Sequence, residues 1–441
     1  MRFFFSFLIL ILFQSCSFDN KSGIWQSKEN LPKKASSQFK DFKKLSAIQD
    51  NFNKVVELKK EIVFNFPPKI NNKKWEDIYY NQSNNYDNFT FNQSKNLIFK
   101  SKKISRNKLD DFLLYDDGNL IISDKKGNII IFSIEQNEVV FKFNFYKKEY
   151  KKMPKNLNLI VKKSIIYVSD NIGFIYAFDY KKEKVLWAKD YQIPFRSNLK
   201  INNENLIAVD QNNNIYFFNI NDGNTAKMIP TEDTKIKNNF RNNISLSEKL
   251  IFVLNTYGSL YAINNENNKM NWFLNLNESL DTDPGNLFDG NQIINNNNNV
   301  IVTSNKSTYI INSFTGLVVK KLNIISEIKP LIVNNYLFLI SKNNLIICVD
   351  LIDGAIIYSY KLNQMIAEFL KIKEKNLSLK NIIFANNRIL ILLKNSYYIE
   401  LNINGNITDV YKFPQKIYSD IIFVNNSILY LNNKNKVIIL G

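Results

Sequence analysis

An all-β protein built as an eight-bladed β-propeller is what this sequence predicts, and three observations predict it. After residue 112 a pattern of apolar strand, polar turn, apolar strand, turn and third strand keeps returning. Its starts fall at 120, 165, 206, 250, 300, 337, 389 and 428, a mean step of 44 residues. Periods of ~40–45 residues filled with short strands mark propeller blades. The last copy, Ile428 to Leu440, holds only two strands, and Asn96 to Lys103 (NLIFKSKK) is a strand ahead of the first copy. Lending that N-terminal strand to the eighth blade closes the ring.

The elements follow in order. Met1-Arg2 is basic, Phe3 to Phe13 is apolar but for Ser6, and Gln14-Ser15-Cys16 leads into a polar stretch. A basic start, an apolar core of about 7–15 residues and a small residue before the cut describe a secretory signal over 1–15. The run is too short to span the ~30 Å core of a bilayer. Cys16 directly after the cut resembles a bacterial lipobox, with Phe13 where Leu is usual. That resemblance implies a diacylated Cys16 as the first mature residue, anchored at a membrane face by its lipid chains. Ser17, rather than Asp, implies sorting to the outer membrane. The alternative is an ordinary signal peptide with an incidental cysteine.

Residues 16–95 are expected to lie outside the ring. The lysine-rich stretch 17–34 reads as a tether. Over 36–56, Phe39, Phe42, Leu45, Ile48, Phe52 and Val55 recur at spacings of three or four, predicting one amphipathic helix that docks on the ring or, as the alternative, on a partner. Pro67-Pro68 ends what precedes it. The propeller then occupies 96–441. Its step from 337 to 389 is 52 residues, and the surplus, Gln364 to Lys380, predicts a longer surface loop.

The blades are most regular in three copies. Leu120 to Phe141, Ile166 to Trp187 and Ile251 to Trp272 align without a gap, with Gly127, Gly173 and Gly258 each fourteen residues before the final aromatic. Glycine suits a tight turn between paired strands. Ala177 and Trp187 stand ten apart, as do Ala262 and Trp272, and Cys348 and Tyr358. A small residue on one strand leaves room for the ring of the other, a packing device between neighbouring blades. Cys348 therefore reads as a buried small residue.

Composition narrows the chemistry. The chain has no histidine, which removes histidine bases, Ser-His-Asp and Cys-His nucleophiles and histidine-ligated metals. With Cys16 lipidated, Cys348 has no partner for a disulfide. The net charge is +18, but the lysines are spread along the chain, which favours a solvated surface over a nucleic-acid partner. Export argues against nucleic acid as well.

Ile166 to Trp187 (IYVSDNIGFIYAFDYKKEKVLW) is similar to the tryptophan-docked repeats of quinoprotein dehydrogenases, with Glu183 where Gly is usual. Eight such blades behind a lipoprotein signal resemble the BamB-like family of outer-membrane β-barrel assembly lipoproteins, over roughly residues 75–441. The resemblance implies a non-catalytic periplasmic scaffold without cofactor or metal. It binds the periplasmic domains of the barrel-inserting (BamA-like) subunit and helps present unfolded outer-membrane proteins. In that family, apolar residues ahead of Arg-Gly or Arg-Ser contribute to the contact. Ile193-Pro194-Phe195-Arg196-Ser197 stands at that place, so Ile193, Phe195 and Arg196 are the implied partner contacts. The family's pair of aspartates on the next loop is replaced by Asn239-Phe240-Arg241-Asn242-Asn243.

Two other readings stay open. A quinoprotein dehydrogenase needs a calcium site, commonly a vicinal disulfide, and a catalytic Asp, whereas Asp124, Asp170, Asp179, Asp210 and Asp350 lie at turn positions of the repeat. An envelope propeller that binds cell-wall glycan or another ligand fits the basic charge.

Overall fold

In the computed structural model, residues 16–18, 25–27, 52–59, 62, 64–233, 237–277 and 288–441 are described. Cys16–Phe18 pairs antiparallel with Trp25–Ser27 in a small hairpin. Residues 51–441 form one compact unit.

That unit is a ring of eight four-stranded antiparallel sheets. Blades 1 to 7 span 114–144, 157–190, 200–229, 243–275, 294–322, 331–361 and 379–412. Blade 8 takes three strands from 422–440 and its outermost strand, Leu97–Lys100, from ahead of blade 1. Leu97 pairs with Leu440 and Phe99 with Ile439, which is the closure expected from the sequence. First strands of neighbouring blades touch one another and so line the central channel.

Each inner strand is packed on both faces by adjoining blades. In blade 1 the third strand, NIIIFS, is buried throughout, whereas the fourth, EVVFKFN, is mostly exposed. Strands buried on both sides read as continuous Ile, Val and Leu rather than as alternation. The repeat starts seen in the sequence coincide with the second strands. The first strands are two or three residues long in blades 1, 3, 5, 6 and 8, too short to carry a pattern.

Three expectations are corrected, the first of them only at its end. Of the helix expected over 36–56, residues 36–51 lie outside the described residues, as do the signal segment 1–15 and most of the tether. Phe52 and Val55, its last apolar positions, stand in extended chain instead. The Phe52 N–H donates to the Asn323 carbonyl (2.8 Å), and Val56 exchanges backbone hydrogen bonds of 3.0 and 2.9 Å with Ser359 on the outer strand of blade 6. A sheet edge offers unpaired N–H and C=O groups that only an extended segment can satisfy. The loop expected over 364–380 begins as a helix, α1 (Leu362–Leu370), which buries Leu362 and Ile366, four residues apart on one face.

Residues 72–92 were expected outside the ring, yet they circle its inner edge. The Asn425 N–H donates to Asn72 in blade 8, and Trp75 and Tyr115 exchange two bonds of 2.8 Å in blade 1. Val161 of blade 2 donates to Glu76, Leu246 of blade 4 to Gln82, and Asn295 of blade 5 to Ser83. Gln82 reaches Ile201 of blade 3, Asn85 brackets Ile332 of blade 6, and Phe89 bonds Phe384 and Asn386 of blade 7. This plug contacts all eight blades. Trp75, Tyr80, Tyr86 and Phe89 form an aromatic knot beneath it, with Phe89 stacked on Phe423 at 5.2 Å.

Candidate interaction site on the inter-blade loops

The candidate contact residues sit on the loop between blades 2 and 3. The structure gives them different work. Phe195 is buried among Tyr191, Tyr216 and Phe218, and its N–H donates to the Asp170 carbonyl (2.9 Å). Ile193 is half-buried. Arg196 turns its guanidinium to the next loop, where Nη2 donates to the carbonyls of Asn238 (2.7 Å) and Phe240 (3.0 Å). Burial, and then the neighbouring Arg241, push its pKa below the usual arginine value. Arg241 itself is exposed, with no ion pair among the described residues. Phe195 thus fixes one loop, Arg196 ties it to the next, and Arg241 presents the free charge. Sequence reasoning noted Arg241 only as a missing acid; its proximity to Arg196 depends on the ring.

Further in, the channel holds a polar hub. Lys200 of blade 3 is fully buried, bonded to Asp77 (2.7 Å) and to the Asn81 carbonyl (2.6 Å) of the plug. Its pKa is lowered by burial, which the Asp77 carboxylate opposes. Lys329 of blade 6 donates to the Asn84 carbonyl (2.8 Å) and lies 3.6 Å from the Tyr86 ring centre. Burial pushes it down to about 7. Beside it a cavity of about 260 Å³ is lined by Tyr79, Tyr86, Gln292, Lys380, Asn381 and Asp420, among others. Among the described residues, no group of three or more His, Cys, Asp or Glu could hold a metal ion.

The blade-docking residues are brought together in pairs. Ala177 faces Trp187, Ala262 faces Trp272 and Cys348 faces Tyr358, each just before a bulge. The Trp187 indole donates to the Ile220 carbonyl of blade 3 (2.8 Å), Trp272 to Ser313 of blade 5 (2.9 Å), and the Tyr358 hydroxyl to Ile403 of blade 7 (2.8 Å). A glycine with positive φ receives each ring; at Gly316 (φ +72°) an added Cβ would stand 2.6 Å from the Trp272 indole. Cys348 is a buried free thiol, held protonated by burial. Sequence reasoning missed that lysines do the same work in blades 3 and 5. Lys227 faces Phe217 and donates to the Asn268 carbonyl (2.6 Å), and Lys320 faces Ile310 and lays its stem on Gly354.

Residues 125–360 match the family described as outer membrane protein assembly factor BamB. No curated protein matches the chain by sequence. Among solved structures, BamB from Moraxella catarrhalis is similar at 12% identity and a TM-score of 0.60, covering 78% of this chain and 99% of that one. Quinohemoprotein alcohol dehydrogenase from Comamonas testosteroni gives 8% identity and a TM-score of 0.60, covering 83% of this chain and 80% of that one. A europium-containing methanol dehydrogenase gives 10% identity and 0.59, covering 83% and 89%. At these identities the likeness is one of fold.

Proposed function

This chain belongs to the family of the outer membrane protein assembly factor BamB, and on that premise we propose that it is a non-catalytic scaffold of the outer-membrane β-barrel assembly machinery. A diacylated Cys16 holds it at the periplasmic face of the outer membrane. Its inter-blade loops bind the periplasmic domains of the barrel-inserting subunit. The observation that carries this reading is the family match over 125–360, which includes both candidate loops. The geometry adds a mechanism. A rigid ring presents loops whose conformation is set before binding, so little ordering entropy is lost on association. Phe195 anchors one loop in the core, and Arg196 locks the next through two carbonyls. Ile193 and Arg241 then offer an apolar and a cationic contact at a fixed spacing.

Co-purification from detergent-solubilised envelopes tests the reading, with wild type compared against Arg196→Ala and Arg241→Glu. The barrel-inserting subunit is expected with wild type and depleted at least tenfold with Arg241→Glu. Arg196→Ala is expected to weaken recovery by freeing the 238–240 loop. Equal recovery with all three proteins would remove these loops from the contact. If no assembly component came down with wild type, the scaffold reading would fall.

A further inference from the structure

Six lysines, five of them between residues 142 and 155, converge on one place between blades 1 and 2. The loop between blades 1 and 2 reads KKEYKKMPK over 147–155 and meets the turn of blade 1 at Lys126 and its outer strand at Lys142. Together they enclose a pocket of about 370 Å³ lined by six lysines, Lys126, Lys142, Lys147, Lys148, Lys151 and Lys155, with Tyr146 and three asparagines. No aspartate or glutamate lines it. Like charges gathered in this way repel unless an anion offsets them. Lys126, Lys142, Lys147, Lys148 and Lys151 are exposed, and none of their ammonium groups has an ion-pair or hydrogen-bond partner among the described residues. The buried Asp124 and Asp170 act on Lys155 from behind the lining, while the five exposed ammonium groups remain unpaired.

The walls are built rather than incidental. The Tyr146 ring lies across Gly127 (φ +83°), where an added Cβ would collide with it. Its hydroxyl donates to Asp170 of blade 2 (2.5 Å), and its N–H donates to Asn144 Oδ1 (3.0 Å). The Asn144 amide in turn donates to Asn128 (3.0 Å). Lys155 is buried under this ring, 5.0 Å from its centre, and the cost of burial lowers its pKa.

We propose that this pocket is a receptor for a sugar headgroup carrying more than one phosphate. Compact ammonium groups bind phosphate oxygens as point charges, and six of them around one pocket call for a ligand with more than one negative charge. The volume falls in the range of small-molecule sites. The Tyr146 ring beside the cations matches a sugar's apolar face. The site does not depend on the scaffold reading and lies on different loops from Arg196.

Binding to the full-length protein tests the proposal in two arms at 150 mM salt. The first arm titrates glucose 1,6-bisphosphate by calorimetry. The second sediments phosphatidylcholine vesicles containing 10% diphosphorylated lipid A, against phosphatidylcholine alone. The variant K126Q/K147Q/K151Q changes exposed residues and should melt like wild type. The control K306Q/K342Q/K416Q removes the same charge from other loops and turns. Binding lost at least tenfold in the first variant and kept in the control is the expected result. Binding in the vesicle arm assigns the headgroup of a lipid, and binding in the soluble arm alone assigns a free sugar phosphate. No binding in either arm, or equal loss in both variants, would overturn the pocket.

Discussion

At the scale of single residues, blade docking separates what a side chain says from what its position does. Trp187, Trp272 and Tyr358 were legible because large aromatics recur ten residues after a small partner. Lys227 and Lys320 occupy the equivalent places yet resemble surface lysines in a sequence. Their aliphatic stems cover the neighbouring turn while the charged end stays near water or a carbonyl, a division that depends on a neighbour distant in sequence. Trp272 offers a graded test of the device. Trp272→Phe keeps a ring over Gly316 but loses the bond to Ser313, so about 1 kcal/mol of stability should go. Gly316→Ala should cost more, about 2–4 kcal/mol, because it combines a collision with the indole and a positive φ that alanine resists. Denaturant titration of both variants checks the order; a costlier Trp272→Phe would mean that the ring is held by its hydrogen bond rather than by its seat on glycine.

At the scale of elements, the plug is where sequence reasoning stopped short. The ring is periodic because every blade repeats the same burial, and periodicity is what a sequence displays. Residues 72–92, KKWEDIYYNQSNNYDNFTFN with the preceding Asn72, bond every blade through backbone groups and short amides. Such bonds impose neither a two-residue nor a 3.6-residue rhythm, so the segment reads as polar linker. The same holds for the strap at Val56, whose pairing with blade 6 uses backbone alone plus the Ser359 hydroxyl. Helical spacing over 36–56 was a true feature of the residues but could not report that a sheet edge competes for the chain's end. Hydrogen exchange distinguishes a plug from a linker. The amides of Trp75 and Phe89, bonded to Tyr115 and Phe384, should exchange as slowly as those of the adjoining first strands. Exchange within seconds at both would show that the channel mouth opens independently of the ring.

At the scale of the whole molecule, the plug and the shared eighth blade join every blade to its neighbours and to the centre, so a charge buried in the hub acts on the stability of the entire ring. Lys329 is that charge. Its pKa falls from an unfolded value near ~10.4 to about 7 in the folded chain because burial disfavours the ammonium. Below pH 7 both states hold the proton, and the folded state bears the full desolvation cost. Between about 7 and ~10.4 the unfolded chain binds more protons than the folded one, so unfolding free energy rises with pH. The Cys348 thiol, whose pKa burial raises, acts in the opposite sense only once the unfolded thiol ionises near ~8.5. Lys200 and Lys155, lowered by burial, act in the same sense as Lys329, and Asp420, raised by burial, in the opposite one. It is therefore the difference between wild type and Lys329→Met over about pH 6.5 to 8.5 that reports Lys329. Wild-type Tm should rise across that window, and Lys329→Met, which fills a similar volume without the charge, should flatten the rise and melt higher than wild type at pH 6.5. The Asp420 and Asp77 carboxylates pull the other way, and the Asn84 carbonyl and the Tyr86 ring also favour the ammonium. A slope unchanged in Lys329→Met would mean that these groups keep Lys329 charged throughout, and that the hub is stabilised by its cation rather than strained by it.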